Sequence, residues 1–398
     1  MEMKNTPKLR FPGFTYPWEQ RKLGDYLVVS YLKNFEGKYD KEDVLSVSGD
    51  YGIVNQIDFQ GRSFAGKSVL NYGIVGMGDI VYTKSPLKKN PFGIIKTNKL
   101  NSGIVSTLYA IYTPKKNCNA IFVEQYFELD SRLNEYLKPL VNKGAKNDMK
   151  VSSEKALDGN IIFPAIEEQK RISAFLEFFG RYITLHQRKL EHLKLKKKSL
   201  LQKLFPKEGE VYPELRFPGF TGPWEQCKLA DVANIIMGQS PSSQNYTDNP
   251  NDDILVQGNA DLIDGQVVPR LWTKEITKSI DEGNIIMTVR APVGDVAKTA
   301  YKVVLGRGVA GIKGDEYIYQ FLLKLKYNHY WRSLSSGSTF ESINSNDIKN
   351  LIIDIPCDEE RTKIGNLLRK TDSLINLYQR KLEHLKLLKK ALLQQLFV

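Results

Sequence analysis

The nine residues QRKLEHLKL occupy positions 187–195 and occur again, unchanged, at positions 379–387. Around them, residues 186–205 and 378–397 agree at sixteen of twenty positions. No short functional motif needs so much identity. The pair therefore indicates a chain that contains the same structural part twice.

Both copies have the hydrophobic period of a coiled coil, with apolar residues every seven positions in two registers three or four residues apart. A polar residue in such a seam costs stability but fixes register or partner, and one lysine stands at the same seam position in each copy. A single amphipathic helix would be as well explained by packing on its own domain core. Two near-identical seams favour an antiparallel pair of helices. The predicted seam residues are Ile183, Leu190, Leu193, Lys197, Leu200 and Leu204, and Ile375, Leu382, Leu385, Lys389, Leu392 and Leu396.

A second repeat lies upstream of each helix. Residues 7–23 read PKLRFPGFTYPWEQRKL and residues 213–229 read PELRFPGFTGPWEQCKL, which are identical at fourteen of seventeen positions. The prolines and glycines predict an irregular strap that is anchored by its aromatic residues, including Trp18 and Trp224. We expect each strap to pack against the foot of a long helix.

Two variable bodies lie between the repeated ends. Both contain a glycine followed by a strand pattern, GDIVYT at 78–83 and GNIIMT at 283–288, so we expect them to share an α/β fold with a mixed sheet. Each body ends in a strand-like run into a proline, followed by acidic residues that favour the start of a helix. We predict strands at 80–83, 93–96, 103–113, 253–257, 284–289 and 303–305, and helices at 121–141 and 316–333.

The predicted organisation has four parts, with a pseudo-two-fold internal repeat. A strap and first body form residues 1–163, and a spacer helix forms residues 164–208. A second strap and body form residues 209–355, and a second spacer helix forms residues 356–398. The predicted fold class is therefore α/β, with two similar α/β domains separated by two long helices that form an antiparallel coiled coil.

Composition limits the function. The net charge of +12 and pI of about 9.2 favour a polyanionic partner, because surface lysine and arginine concentrate phosphates. No apolar run approaches the roughly 18 residues of a membrane span, and residues 1–10 lack the apolar core of a signal peptide. Cys118, Cys227 and Cys357 are too far apart for a CxxC metal site. We expect a cytoplasmic protein.

One catalytic motif needs weighing. Residues 61–68, GRSFAGKS, fit the GxxxxGK[ST] pattern of phosphate-binding loops. Such a loop follows a buried strand and opens a helix, whereas the preceding residues are short and alternating and several glycines follow. No HExxH or GxSxG motif occurs, and three of the four histidines lie in or beside the seams, so we expect no catalytic centre.

Basic and polar residues in the loops that follow predicted strands are the candidate DNA contacts, because such loops can present them to phosphates and base edges. Any one of them is equally well explained as a solvated surface residue. A helix over residues 183–205 would span roughly 35 Å, close to the separation of about 34–36 Å between half-sites one DNA turn apart. The candidates are Arg62, Lys67, Lys84, Ser85, Lys88, Lys89, Lys96, Gln239, Ser240, Thr288, Arg290, Lys298 and Arg307.

Together, the two-repeat plan, the strap, the glycine-strand units, the segments PAIEEQKRI and PCDEERTKI, and QRKLEHLKL resemble the specificity (S) subunit of type I restriction–modification systems over essentially the full length. The resemblance implies that each body is a target recognition domain for one half of a bipartite, asymmetric DNA sequence. It further implies that the helices set the unread spacing and dock two methyltransferase (M) subunits. Cys227 in place of Arg21 departs from a shared strap, so that position is not expected to be a common phosphate contact.

The resemblance also implies that the chain binds no cofactor itself. S-adenosylmethionine would be bound by the M subunits, and ATP and Mg²⁺ by partners that include restriction (R) subunits. Two alternatives of other classes stay open at this point. One is a nucleotide-dependent enzyme built on residues 61–68, and the other is a coiled-coil interaction protein that does not bind DNA.

Overall fold

The computed structural model describes residues 5–87, 89–143, 149–331 and 342–398. The chain divides into two compact units. Unit 1 contains residues 1–186 and 381–398, and unit 2 contains residues 187–380. The division shows that the last residues of the chain belong to the same unit as the first.

Unit 1 consists of short strands, three short helices and the beginning of a 38-residue helix that ends in unit 2. The strands are β1 (Glu19–Lys22), β2 (Leu27–Val29), β3 (Leu45–Ser48), β4 (Gly52–Asn55), β5 (Gly73–Val75), β6 (Ile80–Thr83), β7 (Ile95–Thr97), β8 (Gly103–Val105), β9 (Tyr109–Pro114), β10 (Asn142–Lys143), β11 (Met149–Lys150) and β12 (Asn160–Phe163). The helices are α1 (Gln56–Gln60), α2 (Ala120–Tyr126), α3 (Asp130–Leu137) and the long α4 (Ile166–Lys203).

Unit 2 has the corresponding parts, and its long helix, also of 38 residues, ends in unit 1. The strands are β13 (Glu225–Lys228), β14 (Asn234–Met237), β15 (Tyr246–Thr247), β16 (Asp253–Val256), β17 (Leu262–Ile263), β18 (Gln266–Val267), β19 (Trp272–Thr273), β20 (Ser279–Ile280), β21 (Ile285–Thr288), β22 (Val296–Lys298), β23 (Val303–Leu305), β24 (Val309–Lys313) and β25 (Ile352–Ile355). The helices are α5 (Leu229–Val232), α6 (Glu316–Tyr327), α7 (Ser345–Lys349) and the long α8 (Asp358–Gln395).

The same order of four strands occurs in both units. Unit 1 has the sheet β2-β9-β6-β7, and unit 2 has β14-β24-β21-β22 within a longer sheet. The central strands β6 and β21 are buried at all four residues, and each follows a glycine in the left-handed region, Gly78 (φ 88°) or Gly283 (φ 79°). A glycine reverses the chain there without a Cβ penalty, so it sets where each buried strand begins.

Four predictions of local structure were wrong. The single strand predicted at 103–113 is two strands, β8 and β9, separated by a turn at residues 106–108. The helix predicted at 121–141 is two helices, because the chain leaves helical geometry after the buried Phe127 and restarts at Asp130. In unit 1 the named strands pair only in antiparallel fashion, whereas unit 2 has a mixed sheet with the parallel pairs β16–β23 and β18–β22. The helix predicted at 316–333 ends at Tyr327, and residue 333 lies outside the described residues.

The strap of unit 1 contacts both long helices. Arg10 forms a bidentate pair with Glu168 in the first turn of α4, with Nε–Oε1 and Nη2–Oε2 distances of 2.8 and 2.7 Å. Glu168 is only 2% exposed. One residue earlier, the Leu9 amide donates to the carbonyl of Gln395 at the end of α8 (2.9 Å). The strap therefore links the start of one long helix to the end of the other.

The strap of unit 2 repeats this arrangement. Arg216 forms a bidentate pair with Glu360 in the first turn of α8 (2.8 and 2.9 Å), and Glu360 is fully buried. The Leu215 amide donates to the carbonyl of Lys203 at the end of α4 (2.8 Å). The buried carboxylates also stabilise the helix starts, since anions are favourable near the positive end of a helix dipole.

Four of the last five residues of each strap form a strand rather than an irregular segment. β1 pairs with β12 and β13 pairs with β25, both antiparallel and in the same register, so Arg21 and Cys227 occupy equivalent positions opposite Ile161 and Ile353. Since β12 and β25 lead into the long helices, these two strand pairs fix where α4 and α8 begin.

Both units draw core residues from the two long helices. Leu201 and Leu393 are 1% and 3% exposed, more buried than the neighbouring seam candidates Leu200 and Leu392. A period of 3.6 residues drifts relative to a seven-residue repeat, and near the helix ends the next residue faces the core. Unit 1 includes Ile172, Leu176, Leu393, Leu396 and Phe397 in its core, and unit 2 includes Leu201, Leu204, Phe205, Ile364 and Leu368.

The remaining seam candidates are buried or half-buried. Lys197 is 5% exposed, whereas Ile183 is half-buried. The exposed fractions of the other buried seam candidates are 7% for Leu190, 8% for Leu193, 2% for Leu204, 8% for Ile375, 6% for Leu382, 7% for Leu385 and 2% for Leu396.

Within the described ranges, no helix is long and apolar enough to cross a membrane.

Candidate nucleic-acid interface

In unit 2, three loops that follow strands meet at one edge of the sheet. The Arg307 amide, in the turn between β23 and β24, donates to Ser240 Oγ (3.0 Å) in the loop that follows β14. The Val289 amide, just after β21, donates to the carbonyl of Gly308 (2.9 Å). Gly238 is required for this approach, because a Cβ there would lie 2.1 Å from the carbonyl oxygen of Gly306. The contacts bring predicted residues of distant sequence position to one edge.

This edge carries positive charge. Gln239, Arg290 and Arg307 are exposed, and Ser240 is half-buried. Among the described residues, neither arginine forms an ion pair with a carboxylate. Two guanidinium groups with no carboxylate partner among the described residues, beside an exposed amide and a hydroxyl, are suited to contact phosphates and base edges.

The equivalent edge of unit 1 carries lysines. The Lys84 amide, just after β6, donates to the carbonyl of Leu108 in the β8–β9 turn (3.1 Å), as Val289 does in unit 2. Burial and the nearby ammonium of Lys33 lower the pKa of Lys84, while Glu154 acts in the opposite direction. Ser85 is half-buried and Lys89 is exposed, and Lys88 lies outside the described residues. Equivalent edges of the two units thus present different side chains.

Arg62 and Lys67 lie in a different part of unit 1. Residues 61–68 follow the short helix α1, which ends at Gly61 in the left-handed region, and they lead towards strand β5. A phosphate-binding loop needs the opposite order, a strand before it and a helix after it. Both side chains are exposed, and the Arg62 guanidinium carbon lies 4.6 Å from the centre of the Phe64 ring.

Sequence reasoning missed the exposed aromatic residues near that loop. Tyr51, Phe59 and Phe64 are 70%, 45% and 55% exposed, and the rings of Tyr51 and Phe59 are 5.1 Å apart. Aromatic faces beside basic groups can stack on unpaired bases. The alternation of aromatic and basic residues in 51–67 was the available signal.

Three candidates have internal roles that do not fit a DNA contact. Thr288 is fully buried; its hydroxyl donates to the Pro292 carbonyl (2.7 Å) and accepts from the Asp295 amide (2.9 Å). Lys96 lies 4.0 Å from Glu124, and Lys298 lies 2.5 Å from Glu316. The sequence showed that both bodies carry a lysine at this place, but not that a carboxylate would face it.

The described residues offer no sign of a resident metal, since no group of three or more histidine, cysteine and acidic side chains is placed to hold one. Two of the three cysteines have thiols that are held in the neutral form. Burial raises the pKa of Cys118 to about 12 and also raises the pKa of Cys227, so both favour the neutral form.

Comparison with known proteins shows similarity to one family. The family model described as the type I restriction modification DNA specificity domain matches residues 221–387. The chain is similar to the putative type I restriction enzyme MjaX specificity subunit of Methanocaldococcus jannaschii, with 29% identity over 287 residues, 69% of this chain. The alignment spans 66% of that relative, slightly less than two thirds of its length.

Two solved structures resemble the chain over almost its whole length. One is the S subunit of a type I restriction–modification system from M. genitalium, with 13% identity, a TM-score of 0.62 and coverage of 99% of both chains. The other comes from work on complex assembly and conformational transition of the type I restriction–modification system, with 22% identity, a TM-score of 0.57 and coverage of 98% of this chain and 99% of that one. At these identities the likeness shows a shared fold.

Proposed function

We propose that this chain, which is similar to type I restriction–modification specificity subunits, is the non-catalytic reader of a bipartite DNA sequence. The recognition domain of each unit reads one half. The observation that carries the proposal is the repeated sheet whose equivalent edges present different side chains, Lys84 and Ser85 in unit 1 and Gln239, Arg290 and Arg307 in unit 2. Two similar sheets whose edges carry different side chains suit the recognition of two half-sites that differ in sequence.

The long helices are proposed to form an antiparallel coiled coil that sets the distance between the half-sites. Support comes from within each unit, where the first turns of one long helix and the last turns of the other enter the same core. Six of the eight seam leucines are buried, as such a pair requires, and Leu200 and Leu392 are half-buried. Nucleotide hydrolysis at residues 61–68 is not favoured, because that loop lies between a helix and a strand.

The test of the proposal is an exchange of recognition domains. Replacing residues 24–158 by the matching segment of another specificity subunit leaves the strap, β1, β12 and α4 in place. The complex with M subunits is then expected to methylate a sequence in which one half has changed and the other half is intact. Sequencing of methylated adenines in genomic DNA measures this outcome.

The reciprocal exchange of residues 230–350 is the matched control, and it should change only the other half. If either exchange altered both halves, or neither, modular reading by the two units would be wrong. In that case the repeated sheets would have to serve some purpose other than recognition of separate half-sites.

The positive edge of unit 2 gives a second expectation. Replacing Arg290 and Arg307 by alanine should lower the slope of log K against log salt by about 1.8, since each phosphate contact contributes about 0.9. The matched control removes Lys302 and Lys313, which lie at the opposite ends of β23 and β24. Filter binding over a range of salt concentrations compares the two pairs, and equal slopes would place the DNA elsewhere.

Docking of M subunits is proposed on the outer faces of the long helices. Leu195 and Leu387 occupy the same place in the repeat, and both are 68% exposed. Leu185 and Leu377, also equivalent, are 62% and 55% exposed. Exposed leucines at equivalent positions of the two repeats suit a partner of which two copies bind. In type I restriction–modification systems the partner of that kind is the M subunit, which would bind S-adenosylmethionine as methyl donor, while ATP and Mg²⁺ would belong to the R subunits.

Single and double substitutions test this docking. Leu195→Glu alone is expected to remove one M subunit from the complex, and Leu195→Glu with Leu387→Glu is expected to remove both. Native mass spectrometry counts the subunits. Lys198→Glu, a change at an exposed neighbouring position, is the control and should leave two bound. Retention of both subunits by the double variant would move the docking surface away from these helix faces.

A further inference from the structure

A chain of polar contacts runs through unit 2. It begins at Lys197 in α4, the lysine in the predicted seam, whose side chain is 6% exposed. The Lys197 ammonium lies 2.5 Å from Asp372 Oδ1 in α8. This ion pair therefore joins the two long helices within unit 2.

The contacts continue from Asp372 into the recognition domain. Gln320 in α6, which is fully buried, donates from Nε2 to Asp372 Oδ2 (2.8 Å) and to Glu316 Oε1 (2.8 Å). Glu316 Oε2 lies 2.5 Å from the ammonium of Lys298 at the end of β22. Four elements, α4, α8, α6 and the sheet, are thus connected by side chains that leave little freedom in their relative positions.

A second contact anchors the domain further along α8. Gln379 donates to Asp264 in the β17–β18 turn (2.8 Å), and the carbonyl of the next residue, Gly265, accepts from the Lys298 amide (2.9 Å). Asp372 and Gln379 are seven residues apart, or about 10 Å along a helix. Because the recognition domain contacts α8 at two separated points, both its position along that helix and its angle to it are fixed.

Stability alone does not explain a buried polar chain. Replacing a buried ion pair by apolar residues of similar size is often neutral or stabilising, whereas such pairs can fix one geometry among several. Unit 1 shows that the seam lysine can be accommodated differently. There Gly180 stands where α8 has Asp372, and the equivalent lysine, Lys389, pairs with Glu128 instead.

We infer that the contacts from Lys197 through Asp372, Gln320 and Glu316 to Lys298 position the unit 2 recognition domain on the long helices and so fix the half-site separation that the protein accepts. This inference rests on the proposed function. The residues act as positioning residues, since they would hold the domain without contacting DNA. A change of one base pair in spacing moves a half-site by about 3.4 Å along the duplex and turns it by about a tenth of a helical turn, so loose positioning should relax the preferred spacing.

The test uses the full chain in complex with M subunits and a set of duplexes that differ only in the spacing between half-sites. The double variant Lys197→Met with Asp372→Leu removes both charges and is expected to stay folded, because no buried charge is left unpaired. Discrimination against spacings one base pair too long or too short is expected to fall by about tenfold, the factor that corresponds to about 1.4 kcal/mol. The base sequence of each half-site should be unchanged.

Asp281→Asn is the matched control, since Asp281 forms an exposed pair with Lys313 of β24 in the same unit. It should keep the spacing profile of the parent chain. If the double variant also kept that profile, the contacts would be structural only and the inference would be overturned. Should the double variant fail to fold, Gln320→Leu, which removes the link between Asp372 and Glu316 and leaves both ion pairs in place, decides in the same way. A parent chain without any half-site selectivity would instead refute the proposed function.

Discussion

Replacing Arg216 by alanine is expected to lower the free energy of unfolding of unit 2 by about 3–5 kcal/mol, the usual cost of leaving one partner of a buried ion pair alone. Glu360 is fully buried and accepts from Arg216 Nε and Nη2 and from Trp224 Nε1 (3.2 Å). Without the guanidinium, only the indole would remain to bind a desolvated carboxylate. The strap would then lose its link to the start of α8.

Two variants separate this effect from a general loss of charge. Arg216→Lys keeps the charge but cannot form two parallel hydrogen bonds, so its cost should be intermediate. Lys203→Ala breaks a pair with Glu214 in which both side chains are about half exposed, 48% and 50%, and should cost no more than about 1 kcal/mol.

Urea unfolding gives the free energies, and hydrogen exchange of residues 213–224 and 358–368 shows where protection is lost. A loss for Arg216→Ala no larger than that for Lys203→Ala would mean that the strap does not depend on the buried pair. Arg10→Ala should have the corresponding effect on residues 7–18 and 166–176, because Arg10 and Glu168 repeat the same geometry in unit 1.

The sequence predicted the elements that depend on local pattern. The long helices begin at Ile166 and Asp358, two residues after the prolines and with the predicted acidic residues in their first turns, and β6 and β21 follow Gly78 and Gly283 as expected. These features are encoded within a few residues. Local signals of that kind can be recognised in the sequence without knowledge of the rest of the fold.

Contacts between distant residues could not be predicted in the same way. Arg10 and Glu168 are 158 positions apart, and neither residue type is unusual for an exposed surface. The repeat of LRFPGF before each helix showed that the strap mattered, but not that its arginine would meet a buried glutamate. Likewise, the heptads placed Lys197 in a seam without indicating Asp372 as its partner.

The candidate interface was predicted only in part for the same reason. The folded chain brings Gln239, Arg290 and Arg307, predicted from loops after strands, to one edge, and their contact with DNA stays a prediction. The guide failed for Lys96, Lys298 and Thr288, since a side chain near the end of a strand can also face a helix or close a turn. Which of these occurs depends on packing that a single sequence does not encode locally.

Replacing Phe397 by alanine is expected to destabilise unit 1 by about 3–5 kcal/mol, the typical cost of deleting a large buried aromatic side chain. Phe397 is 3% exposed, with its ring centre 5.2 Å from that of Phe122, 5.7 Å from that of Tyr126 and 6.4 Å from that of Trp18. The Arg132 guanidinium lies over the same ring at 5.2 Å and would lose that contact. The residue lies two positions beyond α8, the long helix that begins in unit 2.

The location of the damage is the informative part of this prediction. Order in the sequence would assign residue 397 to the second half of the protein, whereas the core that it fills belongs to unit 1. Hydrogen exchange should therefore rise in α2 and in β1, and stay unchanged in α6 and β21. Phe205→Ala is the matched control, because Phe205 ends the first repeat yet packs on Trp224, Tyr317 and Phe321 in unit 2. Phe205→Ala should raise hydrogen exchange in α6 and β21 and leave α2 and β1 unchanged. If Phe397→Ala instead raised exchange in unit 2, and Phe205→Ala raised it in unit 1, the assignment of the helix ends to these units would be wrong.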